Sequence, residues 1–558
     1  MRTATTPSTP VPPGRVRPGA LADLLVGRLG RRIAGWLATL ALAAPCPQAA
    51  LAAPPATATL RVASAFDPQT MDPHALALLY HSRVVYQVYD ALVNRDPQFK
   101  LEPSLATGWQ MTGPTSWRFK LRPDVKFHDG TPFSADDVVF SIARAMGTTS
   151  QRNFTLKHIA AVKKVDALTV DFQLASPDAV LPEKLLLVSM MSKAWCVQHG
   201  VEKSQDFNGK QETFTVRNAN GTGPFRLVNY APDTRVQLAR FDGWWGREDP
   251  RNGNLASVSF VNIKSDATRL AALASGEVDL VLDPPFQDVE RLKADAALTV
   301  SSAGDLGTQY FTFDQSRDEL LHGDVKDRNP FKDLRVRRAV AHALNVELIV
   351  QKVLRGQGIP TGSFVSPLVE GYLPELDKRL PYDPARSRAL LAEAGYPQGF
   401  GVTLDCVNVS WREGVCQAAA AMLTQVGIRT QLRSSPTNQF FPKLSQATAS
   451  FIEFGWTPTT DPWSTLNGLF RTWDPQGAGT FNAGRYSNPQ LDTLIDAVRV
   501  EPDLVKRRAL VGVALRLIND DLPYIPLYRR KVNWAMARKL QLVQWPNDTL
   551  ELRWVKMR

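Results

Sequence analysis

LEPSLATGWQMTGPTSWRFKLRPDVKFHDGTPFSADDVVFSIAR, residues Leu101 to Arg144, is the stretch whose reading decides the fold. Trp117, Phe119 and Leu121 alternate with Arg118, Lys120 and Arg122, the period of a strand with one buried and one wet face. Pro123-Asp124 is a turn pair, so the chain is expected to return as a short strand through Val125-Lys126-Phe127 before a second turn at Asp129-Gly130. Ser134 is a good N-cap, Asp136 and Asp137 fall where the helix dipole favours negative charge, and Val138, Val139, Ile142 and Ala145 supply an apolar stripe. The segment reads as strand, turn, strand, turn, capped helix, within a mixed α/β chain.

Working outward, Ala58 to Ala65 alternates as a first strand, and Asp72-Pro73 is expected to open a helix carrying Leu76, Leu79, Tyr80, Val84, Val88 and Leu92. His74 and His81 are seven apart, whereas a helical metal pair sits at i, i+4, so structural or surface histidines are expected. Val162 to Leu174 reads as a hairpin about Asp166-Ala167. Gly221-Thr222-Gly223 lacks the third glycine and the Lys-Ser/Thr of a phosphate loop, and a hairpin follows it. Asp266 is expected to cap a helix ending at Gly276, with a strand returning through Glu277 to Leu282, a unit of a layered α/β lobe. Asp333, Asp383, Asn488 and Asp503 each stand as helix caps, Pro384 and Pro489 taking the first helical position. Thr308 to Phe313 and Leu522 to Tyr528 read as strands.

At 558 residues the chain is too long for one core, and about three to four units are expected. The formal charge of +11 invites a nucleic-acid reading, but there is no dense Lys/Arg run beyond the N-terminus. Residues 1–52 hold six Arg and one Asp, and their removal would leave +6. Arg28, Arg31 and Arg32 precede an apolar run from Ile33 to Ala44, and Ala50-Leu51-Ala52 forms an A-x-A site, the pattern of a secretory signal peptide cleaved after Ala52. The run is short for a membrane span. The residues after Arg31-Arg32 fit twin-arginine export poorly, and Pro45 stands before Cys46 where a lipoprotein wants a small residue.

Three cysteines remain after such cleavage. Cys406 closes a strand and Cys416 lies early in a helix, within disulfide reach, and in an exported protein a bridge is favoured over free thiols. A metal site there would need two further ligands, and no His is nearby in sequence. Cys196 reads as a small buried side chain. No G-x-S-x-G, H-E-x-x-H, complete Walker loop or C-x-x-C is present, so no enzyme and no cofactor is expected. His128-Asp129 is explained by its turn.

The runs PSLATGW and WRFKLRPDVKFHDGTPFSADDVVFS closely resemble the signature region of family 5 extracellular solute-binding proteins, the peptide, nickel and oligopeptide receptors of ABC importers. MDPH with VYDALV, GTGPF, the WWG at 244–246 and PF-D-RVRRA extend that resemblance over nearly all of the chain beyond Thr59. It implies a two-lobed periplasmic-binding-protein fold (type II) with an additional inserted domain. The implied division is a signal peptide at 1–52, lobe 1 from 53–93, 212–302 and 526–558, an inserted domain at 94–211, and lobe 2 at 303–525.

The resemblance also implies a ligand site. Family members hold a peptide's α-ammonium with an Asp a few residues after a Trp; here Trp456 matches the Trp, and Thr459 stands at the acid's position. Asp461 could substitute, yet its Asp-Pro also matches an ordinary helix opening. An ammonium without its carboxylate loses several kcal/mol, of which a neutral hydrogen bond returns only about 1. Trp411 and Arg412 fall where dipeptide receptors carry an Arg for the ligand carboxylate, a bidentate fork with a stacking partner. Asn482, Arg485 and Tyr310 are further lobe-facing candidates. The implied function is reversible capture of a peptide or peptide-like molecule in the periplasm and delivery to the transmembrane subunits of an ABC permease, by a monomer that binds no nucleic acid. Alternatives are an opine, glutathione, metal-chelate or oligosaccharide ligand in the same fold, or a chemosensory receptor.

Overall fold

The computed structural model describes residues 58–475 and 478–558, apart from the side chains of Phe154, Ser410, Thr437, Asn438 and Ser445. The signal-peptide reading of residues 1–52 lies outside them.

Trp117, Phe119 and Leu121 point inward from the strand Ser116–Leu121, the central member of an antiparallel four-stranded sheet. Its neighbours are Ala106–Gly113 and Thr169–Leu174, and Ile159–Asp166 completes the hairpin. Phe119 is wholly buried, opposite Trp109 and Val170. Helix Ala135–Ala145 covers this sheet with Val138, Ile142 and Ala145 buried. Ser134 and Asp137 form a capping box, Asp137 accepting the Ser134 N–H at 2.9 Å. The return through Val125-Lys126-Phe127 is reduced to one bridge, Lys126 with Pro132, because proline has no N–H to continue a ladder. His128 instead ties this link to the Gly221–Gly223 segment: Nε2 donates to the Gly223 carbonyl at 3.0 Å, and Nδ1 accepts the Gly221 N–H at 3.3 Å. Burial lowers the His128 pKa to about 4. The two glycines are needed for contact, since a Cβ on Gly221 would lie 2.0 Å from the Val88 carbonyl oxygen.

A twelve-stranded sheet runs through the rest of the chain. In spatial order its main path is Ile428–Ser435, Phe400–Val407, Phe451–Trp456, Thr308–Phe313, Tyr524–Ala537, Leu280–Leu282, Ala58–Ser64, Leu255–Asn262, Arg235–Arg240 and Phe225–Ala231. Leu298–Gly304 and Gly358–Pro360 also pair with Tyr524–Ala537. Around the first strands Phe311, Phe313, Phe331, Phe400 and Phe451 are fully or almost fully buried with the helices Leu334–Ala343 and Ser410–Gln425. Burying one such ring stabilises by about 1.5–3 kcal/mol. Around the last strands, Leu60, Val62, Val258 and Trp534 form a second cluster.

Two cap readings change. Ser265 rather than Asp266 caps Asp266–Ala274. Asp72 opens no helix: it is fully buried and bidentate with Arg144, at 2.8 and 2.6 Å, and also accepts the backbone N–H groups of His74 and Gln205. A carboxylate so committed is a cross-link between distant segments, and the helix is confined to Leu79–Val85. His74 and His81 are both fully buried.

Candidate ligand-binding cleft

Tyr524–Ala537 belongs to both halves of the large sheet. Tyr524–Tyr528 runs beside Thr308–Phe313, and Lys531–Ala537 beside Leu298–Gly304. The chain also crosses between the halves at Asp305 to Gly307. At this double crossing a cavity of about 690 Å³ opens, within the usual range for small-ligand sites. Asp283, Phe286 and Asp548 line it from one half, and Trp411 with Arg355 from the other. Arg530 and Lys531 line it from the crossing strand. Phe286 and Trp411 face each other with ring centroids 6.3 Å apart, and the Arg530 guanidinium lies 5.7 Å from the Trp411 ring centre.

The charges are distributed unevenly. Arg83, 3% exposed, reaches Asp283 at 2.9 Å and Asp548 at 2.6 Å, one cation between two carboxylates. Trp534 Nε1 donates to Asp548 at 2.7 Å. Burial pushes the Asp548 carboxyl up to about 6, against the pull of Arg83. Arg530 is paired with Asp305 at 2.8 Å.

Of the residues singled out from the sequence, Trp411 alone lines this cavity. Arg412 beside it turns inward: Nε and Nη2 donate to Glu453 Oε2 at 2.8 and 2.7 Å. Glu453 is wholly buried, its Oε1 has no hydrogen-bond partner among the described residues, and burial raises its pKa against the pull of Arg412. Two of the guanidinium's donors are thus committed within the protein. Cys406 and Cys416 are joined by a disulfide, their Cα atoms 6.6 Å apart, and it anchors the first turns of the helix carrying Trp411 to the end of strand Phe400–Val407.

Trp456 ends its strand half-buried, with Nε1 donating to the Thr465 hydroxyl at 3.0 Å and its ring 5.0 Å from Phe481. Thr459 is exposed and its hydroxyl is held in the turn by Ser464, at 3.0 Å. Three further candidates lie buried within the protein and do not line the cavity. Asp461 is 5% exposed; Arg507 takes both carboxylate oxygens, at 2.6 and 2.9 Å, and the Trp463 N–H donates to it as a helix cap, so no acceptor faces a ligand ammonium. Asn482 is fully buried and satisfied by Arg471, Tyr486 and Tyr524. Tyr310 is buried between Phe364, Phe454 and Tyr524, with no exposed surface to offer. Arg485 packs over Trp473 at 4.4 Å and donates to the Asn482 carbonyl.

The sequence reading did not single out Asp283, Phe286, Arg355, Arg530, Lys531 or Asp548. Two signals were available. Asp283-Pro284-Pro285-Phe286 is a stiff exit from a strand, and Arg529-Arg530-Lys531 is a charged interruption between two apolar runs of one strand.

Comparison with known proteins places this geometry. The family model for the middle region of bacterial extracellular solute-binding proteins, family 5, matches residues 100–477. The glutathione-binding protein GsiB of Pectobacterium atrosepticum is 28% identical over 88% of this chain and 92% of its own length. Among solved structures, HbpA2 from Haemophilus parasuis superposes with a TM-score of 0.78 at 24% identity, covering 90% of this chain and all of that one. DppA from Helicobacter pylori, in complex with the peptide STSA, superposes with a TM-score of 0.71 at 24% identity, covering 90% of this chain and 98% of that one. The type II periplasmic-binding fold expected from the sequence is therefore the fold observed, and the chain belongs to the bacterial extracellular solute-binding proteins, family 5.

Proposed function

We propose that this protein is the periplasmic receptor of an ABC importer and captures a peptide-like solute in the cleft at the double crossing. The observation that carries the reading is the cavity of about 690 Å³ at the double crossing, which segments far apart in sequence build from both halves of the sheet. A relative named for glutathione binding and a structural neighbour bound to a tetrapeptide support a ligand of this class. Closure would be driven only by the difference in ligand affinity between open and closed states.

The division into lobes of 53–93, 212–302 and 526–558 against 303–525, with 94–211 inserted, belongs to this proposal. A cluster of buried side chains confined to residues 92–190 supports the inserted domain, although Met191, Cys196 and Val201 pack with the first lobe. Export by cleavage of residues 1–52, action as a monomer and absence of catalysis belong to it also. No helix among the described residues is long and apolar enough to cross a membrane. The exposed Thr459 and the committed Asp461 favour a ligand not gripped by a free N-terminus at the Trp456 loop.

The test is native mass spectrometry of protein purified from the periplasm, with identification of the released small molecule. A short peptide or γ-glutamyl peptide supports the reading. An opine, sugar or metal chelate replaces it with the alternative ligand class.

A further inference from the structure

The cleft holds charges that the ion pairs of the fold leave unbalanced. On the wall nearest the first strand of the chain, Arg83 is shared by Asp283 and Asp548, so the three groups together retain one negative charge. Asp283 is the accessible member, its side chain 40% exposed, whereas Arg83 is 3% exposed and cannot turn outward. Arg355 and Lys531 also line the cavity, and neither has a carboxylate partner within salt-bridge distance among the described residues. The rings of Phe286 and Trp411 line the same volume. An acid pair, two unpartnered cations and an aromatic clamp, drawn from five separate segments, surround one volume.

Resting on the ligand class proposed above, we infer that the cleft selects a peptide-like anion carrying one ammonium and two carboxylates, with the ammonium at Asp283 and Asp548 and the carboxylates towards Arg355 and Lys531. The assignment differs from a ligand held at the Trp456 loop, whose residues do not line this cavity. There, Thr459 is neutral and both carboxylate oxygens of Asp461 are taken by Arg507. In the cavity a half-exposed carboxylate is fixed by a buried guanidinium, which holds the acceptor oxygens in place before a ligand arrives and lowers the ordering cost of binding. An ammonium donates up to three hydrogen bonds and is a compact charge, so it suits a site with oxygens from two converging acids. The carboxylates meet the long, flexible side chains of Arg355 and Lys531, and the thioether, thiol or alkyl middle of such a ligand meets the two rings.

The experiment is calorimetric titration of the full mature protein with glutathione, N-acetylglutathione and trialanine, repeated with Asp283→Asn, Asp548→Asn and the pair Arg355→Gln, Lys531→Gln. Acetylation removes the ammonium, so the wild type is expected to bind glutathione at least about tenfold tighter than its N-acetyl form. In Asp283→Asn that ratio is expected to fall to near one. In the Arg355, Lys531 double variant the ratio persists, but the preference for glutathione over trialanine, which carries one carboxylate fewer, is lost. The ratio is insensitive to a general loss of folded protein, and Asp283→Asn, at a half-exposed position, guards against an Asp548→Asn that fails to fold. If the wild type binds glutathione and acetylation costs nothing, or if Asp283→Asn leaves the ratio unchanged, the inference is overturned while the ligand class stands. If no peptide-like probe binds the wild type, the ligand class itself is wrong and the inference falls with it.

Discussion

Asp305 and Arg530 clasp the two segments by which the halves of the large sheet are joined. The Asp305 N–H donates to the Arg530 carbonyl at 2.8 Å, and the Arg530 guanidinium returns to the Asp305 carboxylate at 2.8 Å. Asp305 Oδ1 also accepts the Gly307 N–H at 2.9 Å, so one carboxylate fixes both the bend of its own crossing and the distance to the other. Because the Arg530 side chain is 38% exposed, the pair is worth only about 1 kcal/mol to the folded state. Its larger effect is expected on closure. Asp305→Ala should lower the melting temperature slightly and weaken ligand binding several-fold, and small-angle scattering of the unliganded variant should show a broader range of sizes. An unchanged affinity would confine the clasp to stability.

Asp461 and Arg507 form a buried pair, 5% and 3% exposed. Removing one partner of such a pair leaves an uncompensated charge and costs about 3–5 kcal/mol. Asp461→Ala should therefore lower the urea midpoint strongly, and the folded remainder should bind ligand as the wild type does. A variant of normal stability that has lost ligand affinity would return Asp461 to the binding site.

The Cys406–Cys416 disulfide closes a loop of 10 residues, for which chain entropy gives about 2.5–3 kcal/mol. Reduction, or a Cys406→Ser, Cys416→Ser double change, should destabilise by roughly that amount. It should also loosen the helix start that presents Trp411, seen as faster amide exchange over residues 411–416. Equal exchange in both redox states would assign the bridge to global stability alone.

Acid should weaken the fold first through three buried histidines, a loss partly offset below about pH 6 by the raised carboxyls of Asp90 and Asp548. Burial lowers the pKa values of His74 and His81 to about 3 and of His128 to about 4. The unfolded chain binds protons at these groups near pH 6.5, so stability is fully present above that pH. It falls as the pH drops, by about 1.4 kcal/mol per unit for each histidine, down to its folded value. Asp72, held below the usual carboxylate range despite its burial by the Arg144 guanidinium, adds a loss in the same direction only below about pH 4. Urea midpoints should fall from about pH 6.5, and less steeply once Asp90 and Asp548 take up protons below about pH 6. His81→Leu, at a ring whose nitrogens have no hydrogen-bond partner among the described residues, should flatten the slope by one proton.

What was legible in the sequence was local. Ser134, Asp333, Asp383, Asn488 and Asp503 all cap the helices assigned to them, because a cap bonds its own next three residues. Asp72 looked like another and is not, because its partner Arg144 lies 72 residues away and burial outweighs propensity. Asp461 shows both sides: its Asp-Pro announces a cap, and nothing near it announces Arg507. The strand Ala106–Gly113 escaped notice because Gly108 and Gly113 blur its alternation. The cleft was least legible. Trp411 stood out by its neighbourhood, but Asp283, Arg355, Arg530 and Asp548 acquire their meaning only when five segments meet.

The strand Tyr524–Ala537 completes both halves of the large sheet, yet it follows every other strand of that sheet in sequence. Until it leaves the ribosome, Thr308–Phe313 and Leu280–Leu282 each lack a neighbour, so neither half can reach its final hydrogen-bonded state. The order of the strands thus delays folding of the sheet until this one has been made. Under the export proposed above, if the chain crosses the membrane unfolded, that delay keeps it translocatable, and a circular permutant that placed this strand first would be expected to fold early and export poorly.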